Sequence, residues 1–127
     1  MKINRTHHAA IICSNYEKSK FFYTEILGFN VINEVYRATR NSYKLDLILG
    51  DCQIELFSFP SPPKRPSYPE AAGLRHLAFE VDDIKAAVSE LKEKAVEVEE
   101  IRTDEITNKK FTFFSDPDGL PLELYEK

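Results

Sequence analysis

The sequence has few cysteines, no long apolar run and no excess of basic charge. Cys13 and Cys52 are the only two thiols. A cysteine-only metal centre needs more ligands than that. No stretch approaches the roughly 20 apolar residues that cross a bilayer. The opening "MKINRTHHAAIICSNYEK" is polar, with one brief apolar run, and lacks the long apolar region and cleavage site of a secretory signal. The two cysteines are therefore expected as free thiols in a cytoplasmic protein, not as a disulfide. The formal net charge of −4 and the want of a basic patch argue against a nucleic-acid partner. The few basic residues of "PPKRP" sit in a proline-rich stretch and read as a solvated linker.

What is present fits a compact globular chain. It is 43% hydrophobic and 30% charged, with 9 Phe and 6 Tyr to fill a core, and 127 residues suit one domain. The segment 58–73 includes "SFPSPPKRPSYPE", whose five prolines suit neither a helix nor a central strand. It separates module one, 1–57, from module two, 74–127.

Both modules follow one order of elements. In module one "HAAIIC" reads as a strand. In "SNYEKSKFFYTEILGF", Ser14 and Glu17 fit a capping box, and Phe22, Tyr23, Ile26 and Leu27 form an apolar stripe at helical spacing. Gly28 stands where a helix C-terminal glycine belongs. "VINEVY" is a strand, and "YKLDLIL" and "CQIELF" form a hairpin about Gly50-Asp51. In module two "HLAFEV" is a strand and "DDIKAAVSELKEKA" a helix with Ile84, Ala87, Val88 and Leu91 on one face. "VEVEEIRT" is a strand, and "KFTFFS" and "LPLELY" form a hairpin about "DPDG". The order is β-α-β-β-β twice. An offset of 68 residues carries His8 onto His76 and Glu55 onto Glu123, so each histidine precedes its glutamate by 47 residues. The same offset carries Asn15 onto Asp83. Internal duplication explains this register. The fold class is α+β: two paired modules whose sheets form a cupped mixed sheet.

Strand alternation then sorts the side chains. Leu77, Phe79 and Val81 share the helix-packed face, and so do Leu122 and Leu124. His76 and Glu123 point the other way, as do His8 and Glu55. A glutamate between two core leucines faces water or has a partner. Two imidazoles and two carboxylates at matching positions of paired modules make a divalent-metal site, completed to six-coordination by two waters, suited to Ni, Co, Mn or Fe, with Zn open. His7 has the opposite parity, and its repeat equivalent is Arg75; it is read as flanking.

These residues resemble the vicinal oxygen chelate superfamily, and within it the glyoxalase I-like proteins, through "HHAAIICSNYEKSKFFYTEILGF", "CQIELF", "RHLAFEVDDI" and "DPDGLPLELYE". The resemblance implies the glyoxalase/bleomycin resistance/dioxygenase fold as a single domain, and a divalent metal on His8, Glu55, His76 and Glu123. It implies a small-molecule substrate held through adjacent oxygens, and a homodimer. It implies lyase or isomerase chemistry, in which a proton next to a carbonyl is moved by Glu123, with Glu55 the symmetric candidate, while the metal stabilises the enediolate. Bacterial glyoxalase I carries an arginine four residues after its first histidine ligand and an asparagine four residues after its first glutamate ligand. Here those positions are Ile12 and Phe59, and an apolar residue cannot hold the glutathione carboxylate. Arg37 and Arg40 either meet an anionic substrate or stand as solvated charges on a loop. Ring-cleaving dioxygenases and fosfomycin-type thiol transferases use three ligands and fit four candidates less well. The alternative of another class is a module that binds a small ligand or metal without turnover.

Overall fold

The computed structural model describes all 127 residues. They divide into two compact units, Met1–Pro63 and Lys64–Lys127, with the division inside the proline-rich segment.

In the first unit β1 (Ala9–Cys13) leads to α1 (Tyr16–Phe21), which widens into a π-helical turn over Phe22–Ile26. Strand β2 (Asn30–Arg37), a 3₁₀ turn (Ala38–Arg40), β3 (Ser42–Leu49) and β4 (Cys52–Ser58) follow. The sheet order is β1-β4-β3-β2, with β1 parallel to β4 and the other pairs antiparallel. In the second unit β5 (Leu77–Val81), α2 (Ile84–Glu93), β6 (Arg102–Thr103), β7 (Lys110–Ser115) and β8 (Pro121–Glu126) form the sheet β5-β8-β7-β6 with the same sense of pairing. The duplicated β-α-β-β-β order is therefore present, as two four-stranded mixed sheets.

Each unit's helix covers one face of its sheet, α1 against β4 and α2 against β8. The alternation holds there. Leu45, Leu47, Ile54 and Leu56 are fully buried in the first unit, as are Ile84 and Leu122 in the second. Full burial of one such side chain contributes about 1.5–3 kcal/mol. Phe22 and Tyr23 are core residues, as their spacing predicts.

Two local expectations change. The N-cap of α1 is Asn15, not Ser14: its side-chain carbonyl accepts the Lys18 amide at 3.1 Å. Asp83 does the same for Ala86 at 3.0 Å, so the caps, like the strands, keep the repeat register. The strand expected over "VEVEEIRT" shrinks to Arg102–Thr103. Ala95, at φ 61, and Val96, whose amide returns to Leu91, are used to close α2. The buried Thr112 hydroxyl then donates to the Glu99 carbonyl at 2.8 Å, and the Glu99 amide donates to the Phe113 carbonyl at 2.9 Å.

Candidate functional site

His8 precedes β1, and Glu55 lies in the middle of β4, directly across the parallel ladder from Ala10. Both project from the face that α1 leaves open. His8 Nε2 is 3.4 Å from Glu55 Oε2. The ring is steadied by His7, whose Nδ1 stands 2.9 Å from His8 Nδ1, with the two imidazoles edge to face. The second unit repeats the pair. His76 precedes β5, Glu123 lies across from Ala78, and His76 Nε2 is 3.0 Å from Glu123 Oε2. Thus His8 joins Glu55, and His76 joins Glu123. The glutamate between the two leucines of β8 does have a partner.

The surroundings of the two glutamates differ. Glu55 lies opposite Asp46 on β3, and the Lys44 ammonium contacts Asp46 and stands 3.3 Å from Glu55 Oε1. The Asp46 hydrogen bond, opposed in part by desolvation and helped by Glu55, holds the Lys44 ammonium above the usual lysine range. Both oxygens of Glu55 are therefore engaged. Glu123 lies opposite Phe113, whose ring meets His76 edge to face at 5.1 Å. One of its oxygens meets His76, and no cationic side chain of lysine or arginine reaches it.

Lys44 and Asp46 were not singled out from the sequence. The signal is there in "YKLDLIL": Leu45 and Leu47 take the core face, which puts two opposite charges beside Glu55 on the other.

The donors fit a divalent cation in chemistry and in spacing. Two donors about 2.1 Å from one ion, at right angles to each other, are about 3 Å apart, close to both His–Glu separations. His76 Nδ1 is buried without a hydrogen-bond partner, which leaves Nε2 as the nitrogen directed at the carboxylate. No group of three or more His, Cys, Asp or Glu side chains is gathered into a metal-holding cluster.

Comparison with known proteins places these features in a family. Residues 5–124 match the family model of the Glyoxalase/Bleomycin resistance protein/Dioxygenase superfamily. The chain is 64% identical over 128 residues to "Uncharacterized protein YwkD" of Bacillus subtilis (strain 168), covering 100% of both chains. It is 52% identical to the glyoxalase family protein from Enterococcus faecalis, whose crystal structure superposes with a TM-score of 0.94 over 99% of this chain and 100% of that one. It is 31% identical over 100 residues to mitochondrial methylmalonyl-CoA epimerase of Mus musculus, covering 75% of this chain and 56% of that protein. With the duplicated modules and their matched His–Glu pairs, these likenesses lead to one conclusion: the chain belongs to the Glyoxalase/Bleomycin resistance protein/Dioxygenase superfamily.

Proposed function

We propose that the protein is a divalent-metal-dependent, glyoxalase I-like lyase or isomerase that moves a proton at a carbon beside a carbonyl of a small vicinal-oxygen substrate. The observation that carries this is the same His–Glu contact built twice at one register, at 3.4 and 3.0 Å. His8, Glu55, His76 and Glu123 are the ligands in this reading, and Ni, Zn, Mn, Co or Fe is the ion. A bound cation would supply Lewis-acid stabilisation of the charge that develops on a substrate oxygen.

The chain's own residues divide the remaining work. Glu123, with one oxygen uncommitted, is the proton shuttle; Glu55, held on both oxygens, is the fixed member of the pair. Phe113 lies across the ladder from Glu123, and its ring packs edge to face on His76, the imidazole that Glu123 contacts. Similarity to an epimerase supports this assignment, because epimerisation also removes and returns a proton at carbon. Ile12, on the open face and 55% exposed, argues against glutathione as the partner thiol. The edge strand β2 exposes Val31, Ile32, Val35 and Tyr36, an apolar surface in keeping with a homodimer. Cys13 and Cys52 form no disulfide, which suits a cytoplasmic setting.

The test is elemental analysis of purified protein after incubation with mixed divalent cations and dialysis, with Glu123→Gln alongside. One equivalent of metal in the wild type, much reduced in the variant, is expected. It would be followed by deuterium exchange of α-ketoaldehyde–thiol adducts, which the wild type should catalyse. Wild-type protein that keeps no metal would overturn the reading. The second reading is ligand or metal binding without turnover. It predicts metal retention without exchange.

A further inference from the structure

Each unit lays an arginine across two phenylalanine rings of its open face. In the second unit the Arg102 guanidinium lies 5.0 Å from the ring centre of Phe111 and 5.8 Å from that of Phe113, and it is paired with Glu99 at 3.0 Å. In the first unit the Arg37 guanidinium lies 4.9 Å from the centre of Phe57 and 5.7 Å from that of Phe59, and these two rings stack nearly parallel. Arg37 has no carboxylate partner. Nη2 donates to Ser42 Oγ at 2.9 Å, and Nε is buried without a hydrogen bond. Ser42 is itself fully buried and paired across the ladder with Arg37, so the guanidinium is anchored, not mobile.

A guanidinium has five N–H donors and keeps its charge at every working pH. Here one donor is engaged with a hydroxyl, and the flat rings below offer only cation–π attraction. A half-buried cation of this kind lacks a counter-charge, whereas its counterpart in the second unit has one. Phe57 lies one two-residue step along β4 from Glu55, about 7 Å on the same face. Phe57 is also the direct cross-strand neighbour of Ile12.

We propose that Arg37, stacked on Phe57 and Phe59 and anchored by Ser42, is a carboxylate-binding site of the first unit and takes an anionic end of the substrate. The planar fork of Arg37 over flat rings suits a planar carboxylate better than a tetrahedral phosphate, which commonly draws on several donors. The identity of the bound anion as substrate rests on the proposed function; the anion site does not require the metal.

The experiment is an NMR titration of the metal-free, ¹⁵N-labelled full chain with succinate and with glutarate. Phosphate and chloride are titrated separately at matched ionic strength. The Arg37 Nε–H resonance and the Phe57 and Phe59 amides are followed. Saturable shifts with a dicarboxylate are expected, with Kd raised about tenfold or more in Arg37→Lys and unchanged in Arg102→Lys. The Lys variant keeps the charge but loses the fork, and the wild-type titration stands by itself should a variant unfold. Absence of a saturable shift at Arg37, or equal binding by Arg37→Lys, overturns the proposal. Preferential binding of phosphate overturns the choice of carboxylate. Because the protein is metal-free throughout, failure of the metal chemistry leaves this result untouched, and the converse also holds.

Discussion

Lys44 Nζ stands 3.3 Å from Glu55 Oε1, on the oxygen opposite the one that meets His8. An ammonium there competes with any divalent cation for the same carboxylate. Two unit charges about 4 Å apart interact by roughly 1 kcal/mol in water and about 4 kcal/mol at the effective dielectric of a protein surface. The Lys44 side chain is 29% exposed, so the lower end applies. Lys44→Met keeps the stem and removes the charge. It is expected to tighten divalent-metal binding about three- to tenfold, measured by competition with a chromophoric chelator. Weaker binding in the variant would mean that Lys44 holds Glu55 in place for the metal and does not oppose it.

Leu122 and Glu123 are neighbours in sequence and opposites in consequence. Leu122 is fully buried on the helix-packed face of β8, and truncation to Ala leaves a cavity. A loss of about 2–5 kcal/mol is expected by urea denaturation. Glu123→Gln removes a charge from the open face, where the carboxylate's side-chain partner is His76. Its stability in metal-free protein is expected within about 1 kcal/mol of wild type. A large loss in the Gln variant would show that Glu123 is structural.

The same two residues show how much of the molecule was legible beforehand. Core and open faces follow from strand parity alone, because side chains alternate strictly along a pleat. The duplication was legible because it preserved the spacing of chemically distinctive residues. Caps were harder to place: Ser14 and Asn15 both suit an N-cap, and backbone geometry at the helix entry selected Asn15. The Val96–Ile101 stretch alternates like a strand, yet its start is used in closing α2 and a side chain takes its carbonyls. Lys44 and Asp46 share a face through their spacing in β3, but their place beside Glu55, like the Arg37 stack, depends on cross-strand register, which spacing within one strand does not fix. Arg37 ends a strand; only Arg40 lies in the connecting turn.

On the helix side, Glu34 accepts from Lys20 Nζ at 2.7 Å and from the Tyr16 hydroxyl, whose ring stacks on Tyr43. The Lys20 and Tyr16 hydrogen bonds hold the Glu34 carboxyl below the usual glutamate range. Burial, then the Glu34 contact, pushes the Tyr16 phenol far above its ordinary value, so it remains a donor throughout. A depressed carboxyl pKa stabilises the fold above its unfolded value and loses that contribution as pH falls through the folded value. Glu34→Gln should therefore cost stability at pH 7, by less than about 1 kcal/mol because the pair is partly exposed. The difference should shrink as the pH falls through the lowered carboxyl value. Urea midpoints from neutral to acid pH check this; a difference that does not shrink on acidification would remove Glu34 from the acid response.

Cys52 opens β4 beside the Gly50-Asp51 turn, half-buried, and Cys13 is 1% exposed in the core. Desolvation, with a smaller contribution from the Asp51 charge, pushes the Cys52 thiol above the ordinary cysteine value. The thiolate is the nucleophile, so a raised pKa lowers the reactive fraction at every pH below it. Neither thiol should alkylate readily in the folded chain. Iodoacetamide at pH 8 is expected to modify Cys52 severalfold more slowly than a small free thiol and to leave Cys13 intact. Both should react at once in denaturant. Mass spectrometry of the quenched samples separates the two sites. Prompt labelling of folded Cys52 would show its thiol in a polar, accessible setting, which its desolvation argues against.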